Sequence, residues 1–159
     1  MTIYAMPGHL IRRLNQISVA LFMDRMAQIG IKLTPVQFAT LTTIRSNPGL
    51  DQASLAGLIA YDRATLGKVI DRLAARGLVC RTISAQDRRA KCLRLTAAGQ
   101  ELLETAHPHV EAVQPEMLAG LSAKEQEQLI ALLKKTTDAG NALSRAPLAA
   151  ATQDQLKPA

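Results

Sequence analysis

A chain of 159 residues with 48% hydrophobic but only 3% aromatic side chains can bury the core of one domain, built from Leu, Ile, Val, Ala and Met. No apolar run approaches the roughly 18 residues of a membrane span, the N-terminus lacks a signal-peptide layout, and two cysteines make no disulfide framework; a soluble cytoplasmic protein is expected. The net charge of +6 is concentrated: Asp62 to Thr96 holds nine basic and three acidic residues, while the rest of the chain has ten of each. A neutral body with one basic segment is the footprint of a polyanion binder, although a solvated charged surface has the same composition.

From Gly8 to about Ile29, Leu10, Leu14, Ile17 and Leu21 fall at helical spacing, with Ile11, Ser18, Phe22 and Met26 beside them. The helix is long and its apolar stripe wide, which suits a partner chain as well as a core. "TPVQ" (34–37) starts the next helix, with Thr34 as cap, Pro35 at the first position and Gln37 closing a capping box. Phe38, Leu41 and Ile44 fill one face until "NPG" (47–49) breaks it. Asp51 and Asp62 then cap two short helices, the second bearing Leu66, Val69, Ile70 and Leu73 and stopping at Gly77. That pair is a candidate helix-turn-helix.

"LVCRTI" (78–83) and "KCLRLT" (91–96) have the composition of two short strands around a basic loop tip. Thr96 caps a helix running toward Leu118, along which Leu103, Ala106, Val110, Val113 and Met117 form a seam; Pro108 and Pro115 are expected to kink or interrupt it. "SAKE" (122–125) opens a last helix with Leu129, Ile130 and Leu133 on its packing side. From Ser144 no packing pattern remains, and a mobile tail (144–159) is expected.

This order, mainly α with a small β-hairpin, describes a winged helix-turn-helix. Over residues 8–143 the chain resembles the MarR family of bacterial transcriptional regulators. The most specific part is "SAQDRRAKCLRLTAAGQELL", which is similar to the family's wing signature D-x-R-x-x-x-x-x-L-T through Asp87, Arg89, Leu95 and Thr96. "DRATLGKVIDRLAARGLV" resembles its recognition helix. The resemblance implies an N-terminal dimerisation helix (8–33), a DNA-binding domain (34–96) and C-terminal dimerisation helices (97–143). It also implies a homodimer on double-stranded DNA with a pseudo-palindromic operator.

A recognition helix meets base edges with its N-terminal end. Arg63, Thr65 and Lys68 occupy the exposed face of that end; Arg63 suits a guanine and Lys68 a phosphate. Gln52 and Ser54 on the preceding helix can hydrogen-bond the DNA backbone. Arg88 and Arg89 at the loop tip can reach a minor groove. Asp87 would be repelled by phosphate, so a bidentate pair with Arg89 is expected. By resemblance Arg89 is the minor-groove arginine and Asp87 its orienter.

MarR-like proteins bind small aromatic acids between their dimerisation helices and DNA-binding lobe. His9, Arg12, Arg13, Gln16 and Ser18, with Asn15, could hold such a carboxylate and a ring heteroatom. The chain is similar to the subgroup controlling nicotinic acid catabolism, which implies a hydroxylated nicotinate as effector. Cys80 and Cys92 are expected to pack rather than sense redox. His107 and His109, two positions apart, share no helix face; a zinc site with Glu104 and Glu111 is the lesser reading. No metal, cofactor or enzymatic constellation is expected. The competing readings are a repressor with an effector and an architectural protein that binds all DNA alike. For either, a bacterial nucleoid location is expected.

Overall fold

Side-chain caps set most of the helix starts. Thr34 accepts the Gln37 N–H while the Gln37 side chain accepts the Thr34 N–H, which closes the expected capping box and begins α2 (Pro35–Ser46). Asp51 takes the N–H groups of Ala53 and Ser54 at the head of α3 (Gln52–Leu58), and Asp62 takes that of Thr65 at the head of α4 (Arg63–Ala75). Thr96 takes the Gly99 N–H at the head of α5 (Ala97–Val113), and at the head of α6 (Ala123–Ala139) the Ser122 N–H and hydroxyl donate to the Glu125 carboxylate. The structure is a computed structural model that describes residues 2–83 and 91–149.

The first long helix, α1 (Pro7–Gln28), follows a short 3-10 turn at Ile3–Ala5. Gly49, at φ +91°, turns the chain after α2, and Gly77, at φ +69°, ends α4 with the Leu78 N–H returning to the Leu73 carbonyl. Both are left-handed positions that a Cβ disfavours.

The wing strands are β2 (Val79–Ile83) and β3 (Lys91–Leu95), antiparallel with Cys80 opposite Arg94 and Thr82 opposite Cys92. A third strand, β1 (Leu50–Asp51), pairs with the other edge of β3, Leu50 opposite Leu93 and Asp51 opposite Cys92. The sheet order is β1-β3-β2. No periodicity announces β1, since it has two residues and one of them already serves as the α3 cap.

The core gathers Leu41 and Ile44 of α2, Leu55 of α3, Leu66, Ile70 and Leu73 of α4, Leu93 of β3, and Leu103 and Ala106 of α5, all essentially solvent-free. Phe22 and Met26 bring the C-terminal half of α1 into it. An Arg25–Glu116 pair, 2.5 Å apart, ties that half to the 3-10 turn Pro115–Leu118. The α5 seam therefore packs inside its own chain. Helix α5 runs unbroken through Pro108, and it is Pro115 that ends the regular helix, beginning the 3-10 turn.

Among the described residues, α1 and α6 each keep bare apolar side chains. On the N-terminal half of α1, Leu10 is 46% and Ile11 56% exposed; on α6, which buries no residue, Ile130 is 45% and Leu132 52% exposed. None of the described helices is long and apolar enough to cross a membrane.

Candidate nucleic-acid interface

The helix-turn-helix is built so that the start of α4 projects. Leu66, Val69, Ile70 and Leu73 bury one side of the helix, which leaves Arg63, Thr65 and Lys68 exposed on the other. Thr65 also serves its own helix start, because its hydroxyl donates to the Asp62 carboxylate at 2.9 Å. The exposed face continues to Arg72, four residues beyond Lys68. Arg72 was not among the expected contacts, although the spacing from Thr65 through Lys68 points to it.

On α3 the expected backbone contacts have internal roles. The Gln52 side-chain amide reaches the Arg63 carbonyl at 3.5 Å. It also fills the space over Gly67, where a Cβ would stand 3.0 Å from it. Gly67 thus leaves room for Gln52, which braces the two helices together. The Ser54 hydroxyl donates to Asp51 at 2.7 Å, so a phosphate would have to compete for that proton.

Among the described residues, Arg76 and Arg81 of the basic segment are engaged within the fold. Arg76 donates to the Lys32 carbonyl at 2.7 Å, linking the end of α4 to the α1–α2 connection. Arg81 on β2 pairs with Asp71 on α4 at 2.5 Å, which ties the wing to the recognition helix. Asp87, Arg88 and Arg89 lie outside the described residues.

The capping carboxylates carry the clearest electrostatic signature. Hydrogen bonds from Ser54, first its N–H and then its hydroxyl, hold Asp51 below the ordinary carboxylate range, and those from Thr65 do the same for Asp62. The Ser122 hydroxyl and N–H lower Glu125 likewise. A carboxyl with a depressed folded-state pKa stabilises the fold above its unfolded pKa and loses that contribution as pH falls through the folded value. Asp51→Ala is therefore expected to cost about 1 kcal/mol near neutral pH. The difference from the parent should shrink below about pH 4. Urea unfolding across pH measures this, and a pH-independent difference would show that the cap works without its charge.

The proposed effector cluster is scattered on the bare half of α1. Arg12 donates to Gln16 at 2.8 Å and His9 stacks edge-on against Tyr4, while Arg13 and Ser18 join neither pair. None of the five lines a described cavity. Two apolar clefts lie near α1 instead. One, of about 550 Å³, is lined by Met23, Ala27, Ile31, Leu33, Gln37 and Arg76. The other, of about 320 Å³, is lined by Val19, Pro35, Val36, Ala39, Ile59 and Tyr61. Their residues come from separate elements, so no single motif marks them.

Cys80 and Cys92 are free and half-buried. His107 faces Glu111 at 3.6 Å and stacks on Phe38. Among the described residues no cluster of three or more His, Cys, Asp or Glu side chains could hold a metal.

The MarR family model matches residues 33–91, from the α1–α2 connection into β3. The transcriptional regulator HosA of Escherichia coli O157:H7 is 38% identical over 103 residues, 65% of this chain and 76% of HosA. The HTH-type transcriptional repressor NicR of Pseudomonas putida is 33% identical over 131 residues, 82% of each chain. The structure of BpsR from Bordetella bronchiseptica, whose DNA binding is regulated by 6-hydroxynicotinic acid, superposes with a TM-score of 0.81 at 32% identity, covering 87% of this chain and 97% of BpsR. The agreement extends well beyond the helix-turn-helix into the flanking helices. With this identity over most of its length and the winged fold in place, the chain belongs to the MarR family of DNA-binding transcription regulators.

Proposed function

We propose that the protein is a homodimeric repressor of catabolic genes, released from a pseudo-palindromic operator by a small aromatic carboxylate of the hydroxylated nicotinate kind. The similarity to BpsR over nearly its whole length carries this reading, because BpsR couples DNA binding to 6-hydroxynicotinic acid. NicR, a repressor similar over 82% of both chains, supports the same direction. A DNA-binding domain at 34–96 is flanked by dimerisation helices at 8–33 and 97–143. The bare apolar faces of α1 and α6 support the pairing, since such faces are costly in water and suit a second copy. Half-sites about one helical turn apart follow from two-fold symmetry. A cytoplasmic site of action on the nucleoid accompanies this reading.

On the DNA side, Arg63 reads a base and Thr65 and Lys68 hold position, with Arg72 extending their face. Gln52 acts by bracing α4, and Ser54 contacts phosphate only by yielding its bond to Asp51. The sequence supports Arg88 and Arg89 as minor-groove contacts with Asp87 orienting Arg89. On the effector side, His9, Arg12, Arg13, Gln16 and Ser18 anchor the carboxylate where the partner covers α1. The Arg76–Lys32 link gives the α1 side a handle on the recognition helix. An effector bound more tightly in one arrangement than another shifts the population of recognition-helix positions.

Excess 6-hydroxynicotinate is expected to raise the melting temperature and release a selected operator; at a hundredfold over its dissociation constant the ligand adds about 2.7 kcal/mol. Arg13→Ala should bind the operator as the parent does yet stay bound when ligand is added. Loss of response only to this acid, with response to another aromatic carboxylate, would change the effector within the class. A parent that ignores every aromatic acid would overturn the effector reading.

A further inference from the structure

The chain after α6 folds back onto the helix-turn-helix. Gly140 and a 3-10 turn at Asn141–Leu143 reverse its direction. Asn141 clamps the reversal shut with its side chain: its Nδ2 donates to the Leu148 carbonyl at 2.9 Å, and its Oδ1 accepts the Leu148 N–H at 2.7 Å. Within the loop, the Ser144 hydroxyl accepts the Ala146 N–H at 3.1 Å. The strap then docks on α3, where the Ala149 N–H donates to the Gly57 carbonyl at 2.8 Å. Gly57 permits the approach, since a Cβ there would stand 3.0 Å from that of Ala149.

Between the strap and the α3–α4 turn lies a cavity of about 520 Å³, whose polar lining comes from Ser54, Tyr61, Asp62, Arg63 and Arg145. Two arginines and one aspartate line it, and the Asp62 carboxylate is already engaged by the N–H and hydroxyl of Thr65. The remaining polarity is positive and suits an anion. Arg63 is the residue expected to meet DNA, so the anion available at this place is a backbone phosphate.

We propose that Arg145, held by the Asn141 clamp beside the head of α4, binds a DNA backbone phosphate, which makes the C-terminal strap a third DNA-contacting element beside the recognition helix and the wing. The proposal rests on the reading that the Arg63 end of α4 faces DNA. A phosphate contact carries no sequence information and is therefore measurable on any duplex. Fixing the strap in advance leaves less freedom to be lost on binding.

The test is fluorescence anisotropy with a random-sequence duplex across about 50–200 mM salt, where each phosphate contact contributes about 0.9 to the slope of log affinity on log salt. Arg145→Ala is expected to flatten the slope by about 0.9 for each lobe engaged and to weaken binding by about 5–10-fold near 0.1 M salt. Asn141→Ala keeps the charge but opens the clamp, and should weaken binding too. Lys124→Gln, on α6, removes a cation elsewhere and should leave the slope unchanged. An unchanged slope in Arg145→Ala overturns the proposal, as does Asn141→Ala binding like the parent. Tighter binding by either variant would make the strap a cover over the interface and would equally overturn it. Arg63→Ala in the same assay separates the two readings: if it changes nothing, the orientation of α4 fails; if it weakens binding while Arg145→Ala does not, only the strap contact fails.

Discussion

Arg63→Ala is expected to weaken binding to a selected operator by about 5- to 150-fold, corresponding to about 1–3 kcal/mol for a lost bidentate base contact. The loss should fall mainly on one base pair in each half-site. The helix will not suffer for it, because its start is held by Asp62 and by Gln52 acting on the Arg63 backbone carbonyl. Only the exposed guanidinium is removed. Arg63→Lys should recover little, since an ammonium lacks the planar fork that spans two acceptors. Lys68→Ala provides the contrast, with a loss that is uniform over operator variants because phosphates are the same everywhere. Anisotropy titrations on the operator and its single-base variants decide between them. Equal losses for Arg63→Ala on operator and random DNA would reassign Arg63 to the backbone, and no loss would remove the head of α4 from the interface.

Gly99→Ala is expected to produce the largest loss of stability, at or above the upper end of the roughly 1–3 kcal/mol typical of overpacking. A Cβ at Gly99 would stand 2.0 Å from the Leu78 carbonyl oxygen and 3.0 Å from its carbonyl carbon. Both are backbone atoms and no rotamer can relieve the clash. The junction is also tightly bonded: the Thr96 N–H donates to the Leu78 carbonyl at 3.1 Å, and the Thr96 hydroxyl donates to the Gly77 carbonyl at 2.6 Å. Helix α5 and the start of the wing must therefore separate to admit one methyl group. The midpoint of urea unfolding measures the cost. A Gly99→Ala variant as stable as the parent would show that α5 stands further from β2 than this packing implies. Gly8→Ala is the control, because nothing lies within 4 Å of its added Cβ.

The local grammar of the fold was legible in the sequence because each signal is carried by a few neighbouring residues. Thr34 with Gln37, Asp51, Asp62, Thr96 and Ser122 each announced a helix start; the first four caps accept the expected N–H bonds, while Ser122 donates to Glu125. The buried face of α4 followed from Leu66, Ile70 and Leu73 alone. What escaped depends on distant parts of the chain. Strand β1 exists only because Leu50 meets Leu93, and the Gly99 contact only because α5 passes Leu78. Gln52 read as a phosphate ligand from its place at a helix start, yet its reach to Arg63 and Gly67 is a tertiary fact. The strap was illegible for the same reason. "SRAPLAAA" has no period, and its docking uses one asparagine and a glycine on another helix.

The placement of the bare faces has a consequence for how the protein is made. Helix α1 leaves the ribosome first and α6 last among the helices, and both present uncovered apolar side chains. Synthesis at about 5–20 residues per second leaves the exposed stripe of α1 uncovered for many seconds, while the helix-turn-helix behind it completes its own core. A nascent chain thus completes the helix-turn-helix before it has made both of its bare apolar faces. Neighbouring chains on one message carry the same stripe at close quarters during that interval. On the dimeric reading proposed above, those stripes can meet before either chain is released, and pairing between chains of one transcript is then the expected outcome.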